Sequence, residues 1–68
     1  MANNCYQLTR EDGEEFGVFD RRDEAQRVAE YDARTRGYDL RWLSFLGGTH
    51  GVPTTSGLKY EIKDVECP

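Results

Sequence analysis

Residues 6–19 read YQLTREDGEEFGVF, with two short alternating apolar segments on either side of an Asp-Gly pair. Alternation of this kind around Asp-Gly predicts a β-hairpin. The turn is expected to take three residues, 11–13. Gly13 then occupies the last turn position, where the backbone enters the left-handed region that glycine tolerates best.

The three-residue turn is chosen because of the strand register that it creates. It places Leu8 opposite Phe16 on the neighbouring strand. Tyr6 then faces Val18, and of the apolar side chains only Phe19 lies on the other face. A two-residue turn would instead mix apolar and polar positions across the pair. The sequence therefore predicts a hairpin with one apolar face.

Residues 20–37, DRRDEAQRVAEYDARTRG, predict an amphipathic helix. Asp20 is expected to be the N-cap, so that the helix begins near Arg21. Gly37 is expected to end it in a left-handed conformation. One stripe is apolar at three-to-four spacing and consists of Ala25, Val28, Ala29 and Ala33. On the solvent-facing side of the helix, three acidic residues each precede an arginine by four positions and can form ion pairs with it. These pairs are Asp23/Arg27, Glu30/Arg34 and Asp32/Arg36.

The second half of the chain predicts two further strands, residues 38–46 and 58–63. Between them, residues 47–57 contain four glycines and one proline, which favours a mobile loop. The expected fold class is α+β in the order ββαββ, a four-stranded antiparallel sheet with one helix on one face. We expect residues 1–68 to form a single domain.

Length and composition narrow the class of protein. The 68 residues are too few for a second domain, and no apolar run is long enough to cross a bilayer. So short a chain has little core to spare for a deep cleft, so we expect no enzyme activity. Residues 1–4, Met-Ala-Asn-Asn, lack the basic and apolar parts of a signal peptide, which predicts a cytoplasmic protein.

Negative charge is concentrated at the hairpin. The net charge is -4, and seven of the thirteen acidic residues lie within residues 11–24. Negative charge opposes binding to nucleic acid or anionic membrane and favours a protein partner with a basic surface. The candidate partner-binding site is an acidic tip made of Glu11, Asp12, Glu14 and Glu15. A turn that is merely solvated is the alternative.

One helix covers only one face of the predicted sheet, so the other face needs a partner. The apolar residues expected on that open face are Phe19, Leu43, Phe45 and Val65. A foreign protein or a second copy of the chain, stacked sheet on sheet, would each satisfy this surface.

Cys5 opens the first strand and Cys67 follows the last one. If these strands are antiparallel neighbours, the two thiols approach bridging distance. A reducing cytoplasm favours free thiols, so a disulfide is one of two open outcomes. Two distant cysteines and the single His50 lack the spacing of a zinc site, and we expect no metal, cofactor or catalytic group.

Direct nucleic-acid binding is the remaining alternative. Five arginines lie along the helix, and three aromatic residues offer stacking faces: Arg21, Arg22, Arg27, Arg34 and Arg36, with Trp42, Phe45 and Tyr60. Three of these arginines have acidic partners at helical spacing. Trp42 and Tyr60 lie on the predicted core face, so the positive field is largely cancelled.

The hairpin, the capped helix DRRDEAQRVAEYDARTRG and the two later strands together resemble the small phage-encoded inhibitors of bacterial defence, above all anti-CRISPR proteins. The resemblance covers the whole chain in size, acidity and plan and includes no specific motif. It implies a protein in the host cytoplasm that binds a Cas-type partner. Its carboxylates would mimic phosphates there and block target-DNA entry or complex assembly.

Overall fold

The computed structural model describes residues 4–45 and 48–68. Its elements in chain order are β1 (Asn4–Arg10), β2 (Glu15–Phe19), α1 (Arg22–Thr35), β3 (Leu40–Phe45), β4 (Gly48–Pro53) and β5 (Tyr60–Glu66). The strands form one antiparallel sheet in the order β2-β1-β5-β4-β3. The α+β class with one helix is therefore confirmed. The expected four strands are corrected to five.

The additional strand is β4, which lies inside the segment expected to be a mobile loop. Its glycines serve close packing. A Cβ on Gly51 would lie 2.8 Å from the Trp42 ring, and a Cβ on Gly48 would lie 3.0 Å from the Ile62 carbonyl oxygen. Glycine within a strand often marks such a close approach of a neighbour. The parts of the strand and loop predictions that fall on Leu46 and Gly47 lie outside the described residues, as does most of the segment 1–4.

The turn between β1 and β2 has the predicted length. The backbone N–H of Gly13 donates to the Arg10 carbonyl at 2.9 Å, and the N–H of Arg10 donates to the Glu14 carbonyl at 2.8 Å. Gly13 has φ +96°, in the region where a side chain would be penalised. The predicted three-residue turn is confirmed.

The strand register predicted beyond the turn is wrong, because β2 contains a β-bulge. Thr9 pairs with Glu15 but Leu8 pairs with Gly17, which leaves Phe16 as an extra residue. An extra residue reverses the alternation of side chains along the rest of the strand. Phe16 and Phe19 therefore both pack on the core side. Placing Phe19 on the open face is thus corrected.

A second consequence of the bulge concerns the partners across the pair. Tyr6 faces Phe19, whereas Val18 pairs with Gln7 and is 46% exposed. Gly17 has φ +112°, so the bulge uses a backbone conformation that L side chains rarely adopt.

The helix begins one residue later than predicted. Arg21 occupies the N-cap position without a side-chain hydrogen bond, so Asp20 is not the cap. Asp23 and Glu24 lie in the first turn, where the helix dipole favours them. The helix ends as predicted: the N–H of Gly37 donates to the Arg34 carbonyl at 3.0 Å, and the next N–H donates to the Ala33 carbonyl at 3.1 Å.

The core lies between α1 and the middle of the sheet. Its fully buried residues are Leu8, Ala25, Ala29, Ala33, Tyr60 and Ile62. Alanine side chains on the helix allow its backbone to approach the sheet closely. The helix packs on β1, β2 and β5, with fewer contacts to β4. The helix meets β3 through Trp42, whose Nε1 donates to Glu30.

Candidate functional site

The acidic tip, defined as Glu11, Asp12, Glu14 and Glu15, lies at the turn between β1 and β2, and all four residues are exposed. Asp12 is neutralised internally. Its two carboxylate oxygens accept from Arg10 Nε at 2.8 Å and from Arg10 Nη2 at 2.9 Å, and Oδ1 also accepts the Glu14 N–H at 3.3 Å. The hydrogen bonds from Arg10 lower the pKa of Asp12 to about 2.

Glu11 ties the tip to the start of β5. Its backbone N–H donates to the Lys59 carbonyl at 2.8 Å, and its Oε1 accepts the Lys59 N–H at 3.1 Å. The first hydrogen bond continues the β1–β5 ladder beyond Arg10, and the second holds the Glu11 side chain against the backbone of Lys59. The turn is therefore held on two sides, by this pair and by the Arg10–Asp12 pair.

Glu14 and Glu15 complete the tip on the side of the edge strand β2. Within residues 4–45 and 48–68, no basic group lies within ion-pair distance of either carboxylate or of Glu11. Exposed carboxylates without an internal cation are free to accept charge-assisted hydrogen bonds from an external arginine or lysine. Glu14 and Glu15 form the part of the tip that is best suited to binding.

A buried polar network lies behind the tip. Arg10 shows only 7% of its side chain to solvent, donates to Asp32 of the helix at 2.8 Å and lies 5.6 Å from the centre of the Phe16 ring. Asp32 also accepts hydrogen bonds from Arg36 at 3.2 Å and from the Tyr60 hydroxyl. This network joins α1, β1 and β5, and it was not predicted from the sequence.

The network shifts the pKa of each of its central groups. The hydrogen bonds that Arg10 donates to Asp12 and, next in size, to Asp32 raise the pKa of Arg10. Burial acts to raise the pKa of Asp32, but the hydrogen bonds from Tyr60 and Arg10 outweigh it and the pKa is lowered. Burial and the hydrogen bond to Asp32 raise the pKa of Tyr60. At neutral pH the network therefore holds an ionised Asp32 and a neutral Tyr60.

The open face of the sheet carries three of the four residues expected there. Leu43 is 40% exposed, Phe45 is 59% exposed, and Val65 is half-buried beside Cys5. Phe45 lies edge-on to His50, with ring centres 5.0 Å apart. The middle of this face is polar, with Gln7, Thr9, Glu61 and Lys63 between its two apolar margins. Leu43 and Phe45 are thus a local patch on β3 and are not continuous with Val65.

Cys5 and Cys67 form a disulfide in the structure, with Cα atoms 4.9 Å apart. The antiparallel pairing of β1 and β5, which places Cys5 opposite Val65, brings the two residues together. Of the two outcomes that the sequence left open, the structure contains the bridge. Asp20 Oδ1 lies 3.8 Å from the Cys5 sulfur.

The helical arginines are largely compensated. Arg21 and Arg27 lie 3.1 Å and 3.9 Å from the Asp23 carboxylate, and Arg22 lies 3.8 Å from Asp64. The Glu30/Arg34 pair is absent from these contacts, because Glu30 accepts from Trp42 Nε1 at 2.9 Å. These three arginines and Arg36 therefore each lie near a carboxylate.

The described part of the chain has few groups that could take part in catalysis or metal binding. His50 Nε2 lies 3.9 Å from Glu61 Oε2, beside a cleft of about 320 Å³ that opens widely to solvent. In residues 4–45 and 48–68, no three His, Cys, Asp or Glu side chains are grouped to hold a metal ion. No helix of the described residues is long and apolar enough to span a membrane.

Comparisons with protein-family models, with curated proteins and with solved structures gave no match to this chain.

Proposed function

We propose that this chain is a non-catalytic binding protein whose acidic tip docks on a basic surface of a protein or nucleoprotein complex and blocks access to it. The observation that carries the proposal is the pair of exposed carboxylates at Glu14 and Glu15, which have no cation within the described residues. They stand on a turn that internal hydrogen bonds hold in place.

A fixed turn favours binding because little conformational freedom is lost when a partner arrives. The Arg10–Asp12 pair and the Glu11–Lys59 hydrogen bonds hold the backbone of the tip before binding. Carboxylates presented in this way suit the arginines and lysines that normally contact phosphate groups. The mechanism is occlusion, in which the tip occupies a basic surface that a nucleic acid would otherwise use.

The resemblance in size and acidity to anti-CRISPR proteins makes Cas complexes the first partners to test. The assay measures target-DNA binding by purified RNA-guided complexes in a gel shift, with and without the protein. We expect DNA binding by a susceptible complex to fall as the protein is added, and the inhibition to weaken as salt is raised. The protein alone with DNA serves as a control for direct nucleic-acid binding.

Charge-reversal variants then locate the docking surface. Glu14→Lys with Glu15→Lys should abolish the inhibition while leaving the melting temperature close to that of the wild type. The matched control is Glu24→Lys with Glu66→Lys, which makes the same charge change at exposed sites on other parts of the surface. Asp12 is left intact because it holds the turn. Unchanged DNA binding in every complex, or equal loss in both double variants, would contradict the proposal.

A further inference from the structure

The two edge strands of the sheet differ in how well they are protected against pairing with another chain. β2 has five residues, begins with Glu15 and is interrupted by the bulge at Phe16. Charged ends, bulges and short length are the usual protection of an edge. β3 has six residues in unbroken register with β4, and Arg41 is its one charged residue. Its outer edge is regular, apolar and unprotected.

The register of β3 with β4 shows which backbone groups this edge presents. The Thr54 N–H donates to the Asp39 carbonyl at 3.0 Å, so these two residues form a hydrogen-bonded pair. Hydrogen-bonded and non-hydrogen-bonded pairs alternate along an antiparallel ladder. It follows that Leu40, Trp42 and Ser44 direct their N–H and C=O groups away from β4. Three consecutive sets of donors and acceptors thus point outward.

We infer that β3 is a dimerisation edge, which pairs antiparallel with β3 of a second copy of this chain across a twofold axis at Leu43. Leu43 of one copy then lies opposite Leu43 of the other. Arg41 of each copy faces Phe45 of its partner, and the outward backbone groups of Trp42 and Ser44 bond across the interface. The result is a continuous ten-stranded sheet.

The side chains favour this register over those with the axis nearer the start of β3. Residues with outward backbone groups in one copy must lie opposite such residues in the other copy. The twofold axis therefore passes through a residue of β3 and never between two residues. An axis at Arg41 would oppose two guanidinium groups, which is unfavourable. An axis at Trp42 would place the Asp39 carboxylate opposite Phe45. With the axis at Leu43, a cation faces an aromatic ring and leucine faces leucine, both favourable cross-strand pairs.

Nothing in the described fold obstructs the edge. The Trp42 side chain is directed inward, since its ring lies over Gly51 and its Nε1 donates to Glu30. The helix packs on β1, β2 and β5. In the dimer the two β5 strands are five strand spacings apart, about 24 Å, which exceeds the helix diameter of about 10–12 Å. The two helices share one face of the sheet without collision.

Cysteine cross-linking tests the register directly. Leu43→Cys places two thiols in a non-hydrogen-bonded pair, where the Cα separation of about 4.5 Å permits a disulfide. We expect mild oxidation to give a covalent dimer of twice 7.8 kDa on a non-reducing gel. Arg41→Cys alone should give none, but a mixture of Arg41→Cys and Phe45→Cys should cross-link. Val18→Cys, an exposed site on β2, is the matched control.

Sizing with light scattering tests the dimer without a cross-link. Ser44→Pro removes an outward N–H that β4 does not use, and should give a monomer with a retained melting transition, whereas Ser44→Ala should stay dimeric. Phe45→Glu should also stay dimeric, because Arg41 of the partner faces it, and Phe45→Arg should not. If sheets instead stack face to face, both Phe45 variants become monomers. That result, a monomeric wild type at every concentration, or equal cross-linking through Val18→Cys, would overturn the inference.

Discussion

Asp32 accepts three side-chain hydrogen bonds, more than any other carboxylate of the described residues, and they link the helix to two strands. Arg10 of β1, Arg36 at the C-cap of the helix and Tyr60 of β5 all donate to it. A charged group near the core of so small a protein costs desolvation unless it is fully hydrogen-bonded. Three donors satisfy this requirement, so the network fixes the angle between helix and sheet.

Removing one donor measures what the network contributes. Tyr60→Phe deletes the hydroxyl that donates to Asp32 and accepts or donates at Tyr38, while the ring stays buried. We expect the free energy of unfolding to fall by about 2 kcal/mol, the usual cost of a lost hydrogen bond to a charged group. Urea denaturation provides the measurement. Tyr31→Phe, which alters a 73% exposed residue, should change nothing; equal stability of all three proteins would contradict this role.

The dependence of stability on pH in acid follows from the ionisation of Asp12 and Asp32. Both have a pKa lowered in the folded protein, Asp12 from 3.8 to about 2. A lowered pKa contributes stability that is present above the unfolded value and is lost as the pH falls through the folded one. Melting temperature should therefore drop between pH 4 and pH 2. Asp12→Asn should flatten part of this drop, and an unchanged slope would contradict the assignment.

The sequence predicted where the backbone of Arg10 lies. It did not predict that the Arg10 side chain binds Asp32 of the helix. The predicted three-residue turn is closed by the Arg10 N–H, which donates to the Glu14 carbonyl. A signal for the rest was available, because Arg10 alternates in phase with Leu8 and so lies on the helix side. Which helical carboxylate it meets depends on the crossing of helix and sheet, and spacing along one segment does not define that crossing.

At the scale of elements, the helix and the turn were predictable because their signals are local. Gly37 and the alanine stripe specify the end and the buried side of α1 within a few residues. The bulge at Phe16 and the strand β4 depend on contacts with distant residues. A glycine in a sequence is compatible with a mobile loop and with a closely packed strand. At Gly51 the Trp42 ring, which leaves no room for a Cβ, shows that close packing is the reason.

This explanation of β4 predicts the effect of a small change at Gly51. Gly51→Ala introduces a Cβ 2.8 Å from the Trp42 ring, so the ring or the strand must shift. We expect a loss of about 2 kcal/mol in the free energy of unfolding, typical of overpacking. In the background Trp42→Leu the same substitution should cost much less, since the ring is gone. Additive effects in this double-mutant cycle would show that the close approach is not what requires glycine.

At the scale of the whole molecule, the α+β plan followed from the order of elements, and the strand order brought two distant cysteines together. A domain of this size buries a limited core, and in the described residues the core cluster has six buried members, of which three are alanines. Small domains with small cores commonly depend on a covalent link for stability. The Cys5–Cys67 bridge closes 62 residues of separation, which is nearly the whole chain.

The bridge should therefore supply a large share of the folding stability. Closing a loop of this length restricts the unfolded chain by about 4 kcal/mol in the entropy model. Reduction should lower the melting temperature by roughly 15–30 °C for a domain of this size. The variant with Cys5→Ser and Cys67→Ser should melt at the reduced temperature with or without reductant, which separates loss of the bridge from other effects of the reagent. Seven residues of β1 pair with seven residues of β5. Without the disulfide, the two strands should therefore keep their register below the melting temperature. Calorimetry with and without reductant measures the difference, and equal melting temperatures would mean that strand pairing alone holds the chain ends.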